Sequence, residues 1–376
     1  VVLVIGLILA GLTAGSLVYC VLTLIAARRY LSVRPPAAQV LPPISVLKPL
    51  AGVDEGLEQN LRTFFEQDYP DFEVLLAVRT SADPAVEVVH RLQARYPQVP
   101  SRLIFTGEPP YPNAKVYSLD RMLAVASHDL IVMADSDVRV TSEMLRTVAA
   151  EFEDPRLGLA TCPYRGVPGS SFWSVLEALG LNTEFLSGVL VARMLDGMKF
   201  ALGPTIVARR HVLAKIGGFD QLKDFLAEDF VMGKLAADAG FGVILSSYVI
   251  EHRIGSQTFG SNLRHRLRWC RSTRRSRPWG YVGQVFTNPL PPALLLWLAW
   301  PALWPLAVAT IAMRGMAGWA TAGWVLRDGL AVRRWWLVPV QDVASFLVWL
   351  GGFFGNTILW RGRRYYLRAD GRFEKV

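Results

Sequence analysis

Charge is scarce in this chain: 19% of its 376 residues are charged, against 52% hydrophobic. Soluble globular chains carry nearer ~25% charge, so the shortfall excludes a purely soluble protein and assigns part of the length to membrane. Cysteine is scarcer still. The three cysteines, Cys20, Cys162 and Cys270, are isolated, which leaves neither a CxxC pair for zinc nor an even-numbered disulfide framework. Acidic residues are missing altogether from His252 to Arg327, a stretch that holds ten arginines, seven of them between Ser261 and Gly280. The net charge of +9 is therefore concentrated, and a basic cluster of this kind points to phosphate, nucleic acid or an anionic membrane surface.

Long apolar runs, by contrast, are present at both ends. Val1 to Ala27 contains no charge, and Arg28, Arg29 and Arg34 follow at once. At helical rise this exceeds the ~20 residues needed to span a bilayer. A signal peptide would place its basic residues before the apolar core, so residues 1–27 read as an uncleaved anchor, and the positive-inside rule puts the following domain in the cytosol. Pro278 to Met313 is also free of charge, with its most apolar parts at Leu294–Leu298 and Ala302–Met313, and nine of the twelve tryptophans lie after position 288, as expected of interfacial belts. Gly315 to Leu326 and Val343 to Trp360 are weaker apolar segments, separated by Arg327, Asp328, Arg333 and Arg334. Residues 286–360 thus read as a C-terminal membrane region of two to three helices, and 361–376, with Arg361, Arg363, Arg364 and Arg368, as a basic cytosolic tail. A cytosolic tail requires an even number of crossings, which two spans plus a re-entrant or interfacial stretch would satisfy.

Residues 35–285 are long enough for one soluble domain with a substantial core, ending in the basic juxtamembrane segment. Ile44–Leu47, Val74–Val78, Leu103–Phe105 and Leu130–Ala134 have strand character. Helical spacing falls at Glu55–Phe65, Pro84–Tyr96 and Val116–Ala126. That alternation implies an α/β fold with a mostly parallel sheet and crossover helices, whose ligands bind at the carboxyl ends of the strands.

Two acidic clusters stand at such places. Asp135-Ser136-Asp137 follows Leu130–Ala134; if extended, residues two apart share a face and both carboxylates aim at one hard cation, Mg²⁺ or Mn²⁺, shared with a diphosphate. The same residues would serve a solvated turn or a helix cap. Ala227-Glu228-Asp229-Phe230 opens a helical pattern, where acids either complement the helix dipole or supply a general base. The arginines from Arg264 to Arg277, with Trp269 among them, either anchor a helix to headgroups or hold phosphate oxygens in planar forks. The apolar stretch Phe172 to Met198 reads as an acceptor-side element at the membrane surface or as a core helix.

Together these stretches resemble the ceramide glucosyltransferases, membrane-bound family 2-like enzymes of GT-A fold. The resemblance runs through Val46-Leu47-Lys48-Pro49-Leu50, Gly52-Val53-Asp54, Phe64 to Pro70, Phe72 to Leu76, Ala82-Asp83-Pro84-Ala85, Asn113-x-Lys115, Asp135-Ser136-Asp137, Ala227 to Phe230 and Arg268-Trp269. It is a D, D, D, (Q/R)xxRW order, except that His265 stands where the family has Gln or Arg, so a charge there would depend on pH. Enzymes that add N-acetylglucosamine to hopanoids are similar in the same stretches.

The resemblance implies an integral membrane enzyme with a cytosolic GT-A domain, one N-terminal helix and two to three C-terminal helices, in a bacterial inner membrane or a Golgi or ER membrane. It further implies that Lys48 and Pro49 border the nucleotide pocket, that Asp83 accepts from uracil and that Lys115 lines the uridine site. Asp135 would hold the ribose side and Asp137 the divalent cation, with Asp135 and His252 as further metal ligands. Asp229 would be the base, Arg268 and Trp269 would bind the diphosphate and close the site, and His265 would be a further substrate-binding residue. The implied reaction moves glucose from UDP-glucose to the primary hydroxyl of ceramide with inversion, or N-acetylglucosamine to a hopanoid polyol. A processive polysaccharide synthase would bring more spans, a scaffold would not need both acidic clusters in order, and a nucleic-acid binder would show a recognisable nucleic-acid fold.

Overall fold

The computed structural model describes residues 2–33, 40–360 and 362–376; Val1, Arg34, Arg361 and the expected domain start at residue 35 lie outside the described residues. The apolar runs of the first half become strands because their side chains are covered from both sides. β1 (Ile44–Pro49), β2 (Phe72–Val78), β3 (Ser101–Phe105) and β4 (Leu130–Ala134) lie parallel in the order β3-β2-β1-β4. Of these, β2 and β4 are buried throughout and β1 nearly so, as strands sandwiched between crossover helices must be. The helices Leu57–Phe65, Ala85–Arg95 and Ala114–Leu123 make the crossovers.

Beyond β4 follow β5 (Val138–Arg139), β6 (Leu157–Thr161), β7 (Tyr164–Pro168), β8 (Thr205–Arg209), β9 (Gly242–Leu245) and β10 (Ile250–Ile254). β8 runs antiparallel to both β4 and β6, and β9 completes a seven-stranded sheet. A second sheet, β5-β10-β7, pairs His252 with Val138. That register carries a histidine more than a hundred residues along the chain to the end of the Asp135–Asp137 turn.

The helix Val2–Leu31 turns its small residues inward. Gly6, Thr13, Ser16, Cys20, Thr23 and Ala27 are buried, while Val2, Leu3, Leu7, Ile8 and Val18 are exposed, the inside-out arrangement of a helix packed in lipid. A Cβ at Gly6 would stand 2.4 Å from the Trp300 ring, and one at Gly15 2.6 Å from Phe286, so these glycines permit the close approach.

Phe172–Asp196 is the other helical stretch long and apolar enough to cross a bilayer among the described residues, but 78% of its apolar window is inside the protein. Of its two readings, the core helix is therefore the one that burial favours, and it is joined to the first helix by Tyr19 and Ser187 hydroxyls 3.1 Å apart. A π-helical turn at Leu181–Phe185 lets three consecutive polar residues find partners. The Asn182 amide donates to Asp328 at 2.8 Å, Thr183 accepts from Arg314 at 3.0 Å, and Glu184 accepts from Ser345 at 2.5 Å.

The uncharged stretch Pro278–Met313 does not form one continuous span. It breaks at Asn288-Pro289 and again at Trp300-Pro301, leaving Leu290–Ala299 as a ten-residue helix. Ten residues rise ~15 Å, half the ~30 Å of hydrocarbon. The helix Trp304–Gly318 continues through a π-turn to Val325. Arg314, which in the sequence ends the apolar run, is buried against Asp342 of the helix Val338–Gly352 at 2.8 Å. The expected end of the membrane region and the basic tail fold differently too: β11 (Thr357–Trp360), β12 (Arg363–Leu367) and β13 (Phe373–Lys375) form an antiparallel sheet. Its apolar face covers Leu226, and the Phe373 N–H donates to the Asp224 carbonyl at 2.8 Å, a few residues before the Ala227–Phe230 cluster in sequence.

Candidate active site

The carboxyl ends of β1 and β4 and the start of the helix Glu228–Asp238 meet. Lys115 joins them: its Nζ stands 2.8 Å from Asp135 Oδ1 and 3.0 Å from Glu228 Oε1, and donates to the Gly203 carbonyl at 3.3 Å. Pro49, Lys115, Asp135, Gly203 and Glu228 line one small cavity. A Cβ on Gly203 would come within 3.0 Å of Asp229 Oδ2, so the absence of a side chain there leaves room for the carboxylate. Asn113 is buried beneath, capping the helix Ala114–Leu123 through the Val116 N–H and donating from its amide to the Phe225 carbonyl at 2.8 Å.

The Asp135-Ser136-Asp137 segment is a turn and not an extension of β4, because the Asp135 N–H donates to the Pro204 carbonyl and the Val138 N–H returns to Asp135. This corrects the expectation that Asp135 and Asp137 extend the strand. Asp135 faces Lys115, while Asp137 Oδ1 lies 3.4 Å from His252 Nδ1. Those last two atoms are buried and have no hydrogen-bond partner among the described residues, an uncommon state for buried polar atoms and one suited to a shared cation. No group of three His, Cys, Asp or Glu side chains that could hold a metal gathers among the described residues. A carboxylate and an imidazole with the remaining positions left to substrate and water nevertheless fit a Mg²⁺- or Mn²⁺-type site. The Tyr164 ring packs 5.5 Å from His252 and 5.2 Å from Phe185, walling the imidazole on one side.

Electrostatics separate the ionised groups. Burial pulls the fully enclosed Lys48 ammonium down to about 7, against the attraction of Asp135 and Asp137. It donates to the Asp135 carbonyl at 2.5 Å and lies 3.8 Å over the Phe64 ring. Lys115 goes the other way: burial disfavours its charge, but Asp135 and Glu228 outweigh burial and raise its pKa above the lysine range. Burial would raise Asp137, yet His252 and Lys48 hold it at about 2. Burial and the neighbouring Glu228 carboxylate push Asp229 up to about 7, with Lys115 opposing. A carboxylate titrating near neutrality is matched to proton abstraction.

The structure thus brings together Lys48, Pro49, Lys115, Asp135, Asp137, His252 and Asp229. Others among the expected residues face elsewhere. Asp83 spends both carboxylate oxygens on the Gly52 N–H at 3.1 Å and one on the Ala85 N–H at 2.9 Å. His265 donates or accepts at 3.0 Å with Glu177 and packs 4.5 Å from Trp269. Arg268 borders a cleft with Arg264, Arg271 and Arg364 that shares no lining residue with the Lys115 cavity. Sequence reasoning missed Glu177, which is buried and also accepts from the Asn262 amide at 2.6 Å. Arg277, read from the sequence only as one of the basic cluster, has its guanidinium 5.3 Å over Phe200 and 5.1 Å over Phe230 and feels the Asp229 charge. The Glu228-Asp229 doublet was the signal for Glu228; nothing in the spacing pointed to Glu177.

Known proteins share this chain's sequence pattern and its fold. The sequence pattern of glycosyl transferase family 21 matches residues 8–373. Ceramide glucosyltransferase 3 of Caenorhabditis elegans is 24% identical over 341 residues, 88% of this chain and 74% of the relative. Ceramide glucosyltransferase of Komagataella phaffii is 33% identical over a shorter 106 residues, 27% of this chain and 21% of the relative. Among solved structures, a mannosyltransferase from Pyrobaculum calidifontis in complex with GDP-Man and Mn²⁺ superposes with a TM-score of 0.54 at 21% identity, covering 92% of this chain and 99% of that one.

Proposed function

The chain belongs to glycosyl transferase family 21 and is a sugar-transferring enzyme of GT-A fold; on that premise we propose that it moves glucose from UDP-glucose to the primary hydroxyl of ceramide, inverting the anomeric centre. The observation that carries this reading is Lys115, which ties the Asp135–Asp137 turn to the Glu228-Asp229 helix start within 2.8 and 3.0 Å, so that donor-side and acceptor-side carboxylates serve one reaction centre. The matched C. elegans relative is named for ceramide glucosylation, which supports this donor and acceptor.

Asp229 takes the proton from the acceptor hydroxyl as that oxygen attacks C1 from the face opposite the departing UDP. The neighbouring Glu228 carboxylate, 3.0 Å from Lys115, raises the affinity of Asp229 for that proton. Lys48 and Lys115 lend positive charge to the side where the diphosphate leaves. Asp137 and His252 would hold Mg²⁺ or Mn²⁺, which when bound offsets the charge growing on the leaving group; the Mn²⁺ of the P. calidifontis enzyme supports a divalent ion. Assignment of Arg268 and Trp269 to the diphosphate rests on the family motif. The helix Val2–Leu31 serves as a membrane anchor, and the catalytic unit over 35–285 works on the cytosolic side, where the acceptor reaches it from the bilayer.

Membranes carrying the full chain, offered UDP-glucose or UDP-N-acetylglucosamine with ceramide or a hopanoid polyol, test the reading. Glucosylceramide as the main product is expected; transfer of N-acetylglucosamine to the polyol with ceramide untouched would replace it.

A further inference from the structure

The helix Phe259–Ser276 presents Arg264, Leu267, Arg268 and Arg271, at i, i+3, i+4 and i+7 on one face, to a cleft of about 200 Å³. β11 and β12 form the opposite wall, where Leu359 and Arg364 are cross-strand partners and share a face. Among the described residues no carboxylate lines this cleft. Arg271 is held in place by the carbonyls of Phe354 and Thr357 at 3.0 and 2.7 Å.

The cleft opens where an apolar surface ends. Val340, Val343, Leu347, Leu350 and Phe354 recur along one face of the last helix and its end, and all are exposed, Leu347 by 61% and Phe354 by 73%. Such a continuous stripe is costly in water and at home against acyl chains. Phe354, at its end, is the residue whose carbonyl fixes Arg271. Guanidinium forks at the end of an acyl-facing stripe match one chemistry, a phosphate carried on a lipid.

We propose that this cleft seats, between Arg264, Arg271 and Arg364 and without Arg268, the phosphate of one anionic phospholipid, its chain lying along the Val340–Phe354 stripe, and that this lipid is neither donor nor acceptor. The seat goes beyond the transfer reaction. It would fix the arginine helix and the C-terminal sheet against the bilayer at a set height. Inorganic phosphate offers the same anion without the chain and gains nothing from the stripe.

The full chain in neutral detergent micelles, titrated with phosphatidylglycerol or phosphatidylcholine and read by native mass spectrometry, tests the seat. One phosphatidylglycerol should be retained in preference to phosphatidylcholine. Arg264→Gln with Arg364→Gln, both exposed side chains, should weaken it about tenfold to a hundredfold, as the loss of charge-assisted hydrogen bonds implies. Arg333→Gln with Arg334→Gln removes the same charge away from the cleft and should leave affinity within about twofold. Leu359→Glu, which sets a carboxylate against the phosphate, should abolish retention by itself. Equal retention of the two lipids, equal losses in the two double variants, or inorganic phosphate binding as tightly as the lipid would each overturn the proposal. So would displacement of phosphatidylglycerol by UDP, which would make the cleft part of the donor site while leaving the transfer reading intact.

Discussion

Around Asp135 and Glu228 the chain encloses its ionised groups and pairs them: Lys115 has a carboxylate at 2.8 Å and another at 3.0 Å. Along Phe259–Ser276 it does the opposite. Arg271 bonds to backbone carbonyls, and Arg274 and Arg275 share the Asn356 side chain at 2.7 and 2.5 Å. The same cationic chemistry therefore has two energetic meanings. Removing one member of an enclosed pair strands its partner, which costs several kcal/mol. Removing a solvated arginine costs little, because water replaces it. Catalytic tuning needs the first arrangement: Lys48 and Lys115 both stand near Asp135, and burial wins at one and attraction at the other.

The sharpest way to break this contrast is Asp137→Ala. It should eliminate detectable transfer and remove the Mn²⁺ dependence of UDP binding, measured by calorimetry with and without the ion; unchanged metal-dependent UDP binding would end the Asp137–His252 assignment. Asp229→Asn should lower kcat ~10²–10⁴-fold, the typical cost of a lost general base, with UDP affinity near normal. A parallel loss of donor affinity with little change in kcat would make Asp229 a donor ligand. Lys115→Met should destabilise the fold by ~3–5 kcal/mol, since Asp135 and Glu228 are left facing each other, and a thermal unfolding scan reads this directly.

Smaller effects divide the arginines. If Arg268 grips the diphosphate as the motif implies, Arg268→Ala costs ~3–4 kcal/mol of transition-state stabilisation, and Arg268→Lys recovers part of it because the charge stays while the fork is lost. Arg274→Ala and Arg275→Ala should each change kcat by less than about threefold, since their partners Gly355 and Asn356 are neutral groups outside the candidate site. Equal, mild effects in all of them, at one salt concentration and in one lipid, would remove Arg268 from the donor site.

The sequence was most informative where side chains repeat. β1, β2 and β4 are largely apolar runs, and each begins or ends within a few residues of the expected place. It was least informative where a partner comes from far along the chain. The Asp135–Asp137 turn depends on the Pro204 carbonyl, far along the chain, so an extended pair was the natural expectation from the local residues. His265 departs from its family's pattern, and its compensating partner, Glu177, lies 88 residues away. In the C-terminal helices the breaks were written in prolines at 289, 291, 292 and 301. The burial of Arg314 against Asp342 was not, because a charge in an apolar stretch reads as an end until its partner is known.

The account rests above all on Asp229 as the base of a site unified by Lys115, and its most direct test is the pH dependence of kcat for the unmodified enzyme at saturating donor and acceptor. Burial and Glu228 raise the Asp229 pKa to about 7; below that value the carboxyl is protonated and cannot accept the hydroxyl proton, and above it the base is free. The rate should therefore climb about tenfold per pH unit on the acid side and level off above about pH 7. A rate that stays flat, or falls, as pH rises from about 5 to about 8 would contradict the assignment.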